Sequence, residues 1–488
     1  MKEGTDLANK FDVTKWSGKL TYGVGAVGLD VSYGMFYSYL AKYLTDVLRL
    51  DNRFLLLLTP LARIWDSIND PIMGTIVDNT RTRMGKYRPW IVIGTLTNAV
   101  VLALLFNNPG ITPGSVWLYV YAAVLYVAWG MTNTMADIPY WSMVPSFTSD
   151  PKERSMIATV ARTFSGLGQG LISIGAPLIL PLFSLSTQTD ANGAKVWDAR
   201  SFGMTALVCS AALIFFSLIS VSRTREYQVT APKEKFSFKT IFRTVGGNDQ
   251  LRWFMLFAML SNAGFYMFSG VGAYFFDVVA NDTKAQSAFS LFQAVGSVLG
   301  LLVIPVMMKF TSRRRIYQFS LALCVLSYAG MLLSFKLAGS LMLMNIFYLL
   351  GNIGSSSMFV SQTVFLADIV DYGEVKNGSR AESVTFSMKG FLQKMAYTIQ
   401  TVILFAGLEF SHYDETLHAA NSLAVKNTVT SMMLVVPIFG MLASLFIFTF
   451  KFKLHGKYME EITAKVSAKT DSSENATDPA KPEENTEQ

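Results

Sequence analysis

Four aspartates and two arginines stand inside stretches that are otherwise strongly apolar. Asp30 lies in the first such stretch, Arg63, Asp66 and Asp70 in the second, Asp137 in the fourth and Arg162 in the fifth. A charge in hydrocarbon is costly, so residues of this kind turn inward and mark a ligand or ion path. Asp66 and Asp70 are four apart and share one helix face, with Asn69 beside them. Two adjacent carboxylates repel, and either one takes a proton or a cation sits between them. Asn69 offers an amide oxygen, and Thr134 and Asp137, three apart, add a hydroxyl and a further carboxylate. Hard oxygen ligands suit sodium or lithium better than a transition metal. Four acids against two arginines predict two negative charges without a partner in this part of the chain. A structural charge network with Arg63 and Arg162 explains any one of these residues more readily than it explains the set.

Trp141 follows Asp137 by one helical turn and is read as the best stacking platform for a sugar ring. An interfacial belt role fits Trp16, Trp90, Trp117 and Trp197 instead; Trp65 and Trp129 read as packing residues. Lys389 and Lys394 lie in the eleventh apolar stretch. Lys394 is too deep to reach the interface by stretching its stem, so it is read as a site or pairing residue. Gly28, Gly166, Gly168 and Gly170 permit close helix approach. His412, His418 and His455 all fall outside the apolar stretches, so no imidazole relay is expected across the bundle. Without an in-span histidine or cysteine cluster the chain lacks the parts of an enzyme, and it is read as none. Cys209 and Cys324 are read as small packing residues.

These side chains must be positioned by helices. The 488 residues are 51% hydrophobic and only 15% charged, where soluble domains run nearer a quarter charged. A spanning helix needs about 20 mostly apolar residues. Twelve segments meet that rule, near 20–45, 54–77, 90–107, 117–142, 155–182, 201–221, 251–279, 285–310, 316–338, 340–370, 383–408 and 429–452. Helix is the required conformation, because an apolar run in lipid must satisfy its own backbone.

Basic residues set the orientation. The even-numbered loops hold Arg81, Arg83, Lys86 and Arg88, then Lys152 and Arg154, then Arg223, Arg225, Lys233, Lys235, Lys239 and Arg243, then Arg313, Arg314 and Arg315; Asn107 to Ser115 holds none. Even loops and both termini are therefore expected in the cytoplasm. The net charge of +7 is this loop pattern rather than a nucleic-acid groove. The halves also echo each other: Arg83 and Arg314, and Ala136-Asp137-Ile138 and Ala367-Asp368-Ile369, share an offset of 231 (314−83, 367−136). That offset predicts a duplicated architecture with a midplane site between halves. The expected plan is a cytoplasmic leader (1–19), without signal-peptide features, a six-helix bundle (20–221), a cytoplasmic middle loop (222–250), a second bundle (251–452) and a cytoplasmic tail (453–488), disordered by composition.

Arg63-Ile-Trp-Asp66-Ser-Ile-Asn-Asp70-Pro-Ile-Met-Gly74, followed by Gly85-Lys-Tyr-Arg-Pro-Trp90, resembles the glycoside–pentoside–hexuronide:cation symporters, the melibiose-type carriers of the major facilitator superfamily. Tyr22-Gly-Val-Gly, Asp137-Ile-Pro-Tyr-Trp141 and Ala367-Asp-Ile-Val-Asp-Tyr-Gly-Glu374 are similar to that family's segments in the same order, from about Leu20 to about Lys453. The resemblance implies an all-α integral membrane fold of twelve helices in two six-helix pseudo-repeats. It further implies symport of a sugar glycoside with sodium, lithium or protons, in a bacterial inner membrane, by a monomer without cofactor. Matched motif by motif, it puts the cation on Asp66, Asn69, Asp70 and Thr134. It puts the sugar on Asp30, Asp137, Trp141 and Arg162, with Lys394 near both. Leu29, Phe359 and Lys389 depart from the melibiose-type pattern of lysine, tryptophan and glutamine; the loss of one cation and gain of another rearranges charge around the sugar, and Lys389 with Arg162 would favour an anionic glycoside over a neutral one. The expected partners are that glycoside, a monovalent cation and membrane lipid, with no nucleic acid. A lysophospholipid carrier of the same fold and a non-transporting membrane sensor are the alternatives.

Overall fold

The computed structural model describes residues 13–148, 151–190, 193–224, 226, 238–377 and 382–477. Most of the leader, part of the middle loop with Arg225, Lys233 and Lys235, and the tail beyond Thr477 lie outside the described residues.

Among the described residues, twelve helices make up the two bundles: α1 (Trp16–Lys42), α2 (Asn52–Asn79), α3 (Arg88–Leu105), α4 (Val116–Ser142), α5 (Pro151–Phe183), α6 (Ala199–Ser222), α7 (Asp249–Tyr274), α8 (Ala285–Phe310), α9 (Arg313–Ala338), α10 (Leu341–Asn377), α11 (Glu382–Phe410) and α12 (Leu423–Lys451). Nine are both long and apolar enough to cross a membrane by composition. The other three, α1, α2 and α4, are those bearing Asp30, the Arg63–Asp70 face and Asp137. Their hydropathy is lowered by the polar residues that face inward. On α2 the division is plain. Leu57, Leu61, Ile64, Trp65, Ile68, Ile72 and Ile76 are exposed along one stripe, while Arg63, Asp66 and Asn69 are buried. This is the helical period separating an outer apolar face from a polar interior.

The duplication read from the offset is visible in the packing. In the first half α1 packs on α5 and α6, α3 on α4 and α6, and α2 on α4; in the second half α7 packs on α11 and α12, α9 on α10 and α12, and α8 on α10. The halves meet where α2 packs on α11, α5 on α8 and α1 on α7. Both α1 and α7 end in a π-turn, at Tyr43–Val47 and Phe275–Val279.

Close approach needs glycine at specific places. A Cβ on Gly168 of α5 would stand 2.5 Å from the Val27 carbonyl of α1, and one on Gly28 would stand 3.0 Å from the Leu213 carbonyl of α6. Gly166 and Gly170 meet nothing within 4 Å, so close packing does not explain them. Cys209 and Cys324 are buried as expected.

Three sequence expectations, for the tail, Trp197 and Trp65, need correction. Gly456–Thr477 is helical rather than disordered; Ile462 is buried and Tyr458 lies against Tyr372 of α10. Average composition hides such anchors, and the Glu, Lys and Ala around them are good helix formers. The middle loop contains a helix, Phe238–Gly247, just before α7. Trp197 is buried against Tyr39 and Phe202 instead of lying in an interfacial belt. Trp65, read as packing, is on the exposed stripe, whereas Trp129 is packed at 1% exposure.

Candidate binding site between the two halves

The buried face of α2 is held by its own arginine. Arg63 Nη1 donates to Asp66 Oδ2 at 3.0 Å, and both side chains are nearly inaccessible. The guanidinium also lies 4.7 Å above the Tyr37 ring of α1, a cation–π contact. Asp66 presses against α4 where Gly130 leaves room: a Cβ there would stand 2.4 Å from Asp66 Oδ1. One turn further along α2, Asp70 accepts from Thr134 Oγ1 of α4 at 3.1 Å. Its other oxygen accepts from Lys394 of α11, across the interface between halves. Asn69 is buried beside this pair, with its Nδ2 unpartnered. The structure therefore brings Asp66, Asn69, Asp70 and Thr134 together.

Two of the four acids, Asp30 and Asp137, are in no salt bridge among the described residues, and the other two find cations. Asp66 is paired by Arg63 and Asp70 by Lys394. A charge count confined to the first half misses the second pair, because its cation arrives from the other half.

The companion cluster lies on α1, α4 and α5. Trp141 Nε1 donates to Asp137 Oδ1 at 2.9 Å, and the Arg162 guanidinium lies 3.7 Å from the centroid of the Trp141 ring. Asp30 has the Ser165 hydroxyl beside it and feels both Asp137 and Arg162. From the second half, Lys389 donates to Thr363 Oγ1 of α10 at 2.7 Å, within electrostatic reach of Arg162. Phe359 packs edge-on against Phe265, centroids 5.0 Å apart. Arginine covers one face of the Trp141 ring, which leaves the opposite face for stacking. No spacing within α4 reveals this, because Arg162 belongs to α5.

An aromatic layer next to these charges was not singled out from sequence. Tyr33 and Tyr37 of α1 meet Tyr397 of α11, and Tyr397 stacks on Tyr266 of α7 at 3.8 Å. The signal was present: Tyr33 and Tyr37 follow Asp30 by roughly one and two turns, and Tyr397 follows Lys394 by three residues. Gly130 and Thr363 carry no such signal. Among the described residues no group of three or more His, Cys, Asp or Glu is placed to hold a metal ion.

Residues 21–456 match the family described as MFS/sugar transport protein. The chain belongs to this family. It is a membrane transporter and not an enzyme. Among its relatives, the raffinose carrier protein of Pediococcus pentosaceus is 28% identical over 85% of this chain, and the chain spans only 66% of that protein's length. The lactose permease of Leuconostoc lactis is 26% identical over 93% of the chain and 72% of its own length. The isoprimeverose transporter of Lactiplantibacillus pentosus is 26% identical over 93% and 92%. Among solved structures, the inward-open xylose transporter XylE from E. coli superposes with a TM-score of 0.59 at 12% identity, covering 92% of this chain and 99% of that one. A bacterial homologue of the lysosomal transporter Spinster gives 0.61 at 14%, covering 89% and 94%. These likenesses show the major facilitator fold of this sugar-transport family member.

Proposed function

We propose that this transporter carries a sugar glycoside into a bacterial cell together with a monovalent cation, sodium, lithium or a proton, by alternating access. The observation that supports this best is the Asp70 carboxylate, which takes Thr134 from its own half and the Lys394 ammonium from the other. An oxygen cluster whose charge is met by a tethered ammonium is suited to exchange that ammonium for a free ion. Binding of the ion at Asp66, Asn69, Asp70 and Thr134 releases Lys394 toward the sugar, which sits among Asp30, Asp137, Trp141, Arg162, Lys389, Lys394 and Phe359. Sugar and cation then tighten each other by one reciprocal factor. Raffinose, lactose and isoprimeverose, named for the relatives, are all glycosides, and the site's acids and amide suit hydroxyl-rich cargo better than a lipid.

Arg162 and Lys389 approach each other from opposite halves, and neither is in a salt bridge among the described residues. A carboxylated or sulfonated glycoside would place its charge between them, so this carrier's preferred cargo is anionic. Uptake of radiolabelled glycosides into membrane vesicles, with sodium, lithium and proton gradients imposed separately, tests the coupling. Asp66→Cys is expected to abolish cation stimulation while some sugar binding survives; intact sodium, lithium and proton dependence would overturn the cation assignment. Lys389→Gln should shift preference toward neutral sugars, and an unchanged preference would sink the anionic reading.

A further inference from the structure

Beyond the central site, the end of the bundle opposite the basic loops holds a second buried charge cluster. Lys42, at the end of α1, donates to Asp46 Oδ2 at 2.6 Å and to Asp277 Oδ2 at 2.7 Å. All three side chains are more than nine-tenths buried. Asp46 and Asp277 share the 231-residue offset of the duplication (277−46), and each lies in the π-turn that ends its helix, Tyr43–Val47 and Phe275–Val279. One lysine thus sits near the pseudo-twofold axis, gripped by an acid from each half.

Every element around the lysine contributes. The Tyr274 ring lies 4.9 Å from the ammonium, and its hydroxyl is 2.8 Å from Thr45 Oγ1. Thr45 and Tyr413 hydroxyls donate to Asp46 Oδ1 at 2.7 and 3.0 Å. His418 Nδ1 lies 3.0 Å from Asp277 Oδ2. Two further pairs join the halves at this end, Arg53–Glu409 and Arg49–Glu415, but both arginines are mostly exposed. Exposed pairs of this kind contribute little. By contrast, removing one partner of a buried pair leaves a charge that water cannot reach.

We propose that Lys42, between the repeat-related Asp46 and Asp277, is the latch that holds this mouth of the transporter shut. By the basic-loop reading this mouth is the outer one. Lys42 and Asp46 lie on one continuous helical run, four residues apart, so separation of the halves does not pull them apart. Asp277 and His418 both belong to the second half. When the halves separate here, the Lys42–Asp277 bond breaks, while Lys42 keeps Asp46 and Asp277 keeps His418. Neither half exposes a carboxylate or ammonium without a partner, so the latch holds firmly when shut and releases at modest cost. Lys42 lies about 18 Å beyond Asp30 along α1, at 1.5 Å per residue, and the Tyr33, Tyr37 and Tyr397 layer intervenes. The latch therefore governs access and makes no contact with cargo in the central site.

The test reads access directly, without sugar or an ion gradient. In a Cys209→Ser, Cys324→Ser background, Tyr33→Cys reports the layer beneath the latch through its labelling rate with a membrane-impermeant maleimide applied from outside. Lys42→Met keeps the stem but leaves Asp46 and Asp277 facing each other, and labelling should accelerate about fivefold or more. Asp277→Asn removes the inter-half charge pair, weakens the His418 contact within the second half and leaves Lys42 its Asp46 partner, so it should accelerate labelling less, about twofold to threefold. Adding Asp277→Asn to Lys42→Met removes the repulsion, so the double variant should label more slowly than Lys42→Met alone. Parental labelling rates in both single variants overturn the proposal, as does a double variant as fast as Lys42→Met. If Lys42→Met fails to reach the membrane, Asp277→Asn, which leaves the Lys42–Asp46 pair intact, decides by itself.

Discussion

Lys394 of α11 is ion-paired with Asp70 of α2, so the two halves of the transporter share one charge pair at midspan. If an arriving cation must displace this ammonium, the empty carrier needs Lys394 to neutralise Asp70 on its way back across the membrane. Lys394→Met is therefore expected to slow net uptake about tenfold or more, the equivalent of about 1.4 kcal/mol on the return step. Equilibrium exchange, in which the loaded carrier moves both ways, should fall much less. Parallel measurement of net uptake and counterflow in vesicles separates these outcomes, and an equal loss in both would count against the role assigned to Lys394.

Gly130 is the residue that lets Asp66 lie against α4. Gly130→Ala places a methyl 2.4 Å from Asp66 Oδ1, which forces the carboxylate to move and disrupts its 3.0 Å bond with Arg63. Cation stimulation of sugar binding should drop several-fold. Gly166→Ala is the control, since its added methyl meets nothing within 4 Å. In the α5 interior the added methyl favours helix by about 1 kcal/mol over glycine. Thermal stability of Gly166→Ala should hold or rise slightly while its transport stays near the parent's, and cation titrations of sugar binding check the contrast.

How much of this was legible beforehand depends on whether partners lie on one helix. The α2 face was readable, because Arg63, Asp66, Asn69 and Asp70 are spaced by helical turns and the apolar residues between them take the other side. The duplication was readable from Asp137 and Asp368, and the packing of α7–α12 repeats that of α1–α6. Contacts between helices were not. Neither the Lys394–Asp70 pair, the Arg162 guanidinium over Trp141 nor the Gly130 niche for Asp66 has any signature in local spacing. Asp46 and Asp277 stood at the repeat offset all along. Lying at span ends, they carry no hydrophobic penalty that would single them out until Lys42 is seen between them.

Glu226 caps α3 from beyond the end of α6. Its carboxylate accepts from the backbone N–H groups of Lys86, Tyr87 and Arg88 at 2.6, 2.9 and 2.9 Å. A negative charge at a helix N-terminus meets both its free N–H groups and its dipole. Gly85 permits the approach, with φ at +108° and a Cβ that would lie 2.6 Å from the carboxylate. Losing such a cap costs about 1–2 kcal/mol. For a bundle of this size Glu226→Ala should lower Tm by about 2–4 °C or somewhat less, with Glu226→Gln in between. Thermal unfolding in detergent, followed by tryptophan fluorescence, checks the order.

His455 supplies a pH dependence in the segment between α12 and the final helix. Its Nε2 lies 2.5 Å from Arg314 Nη1, and Arg314 Nη2 also donates to the Thr449 carbonyl at 2.7 Å. Partial burial, and then the neighbouring guanidinium, hold the imidazole pKa below its usual value near 6.5. The unfolded chain therefore binds this proton more readily than the folded one, and stability rises with pH across the window. The contribution is complete above the unfolded pKa and is lost as pH falls through the lower folded value, when an imidazolium must face Arg314. His455→Gln keeps a hydrogen-bonding side chain but cannot acquire that charge. The fall in Tm between pH 7.5 and pH 5 should be shallower in His455→Gln than in the parent, with the two curves closest at the acid end if the glutamine serves Arg314 less well. Parallel slopes over the whole range would show that His455 does not titrate against Arg314.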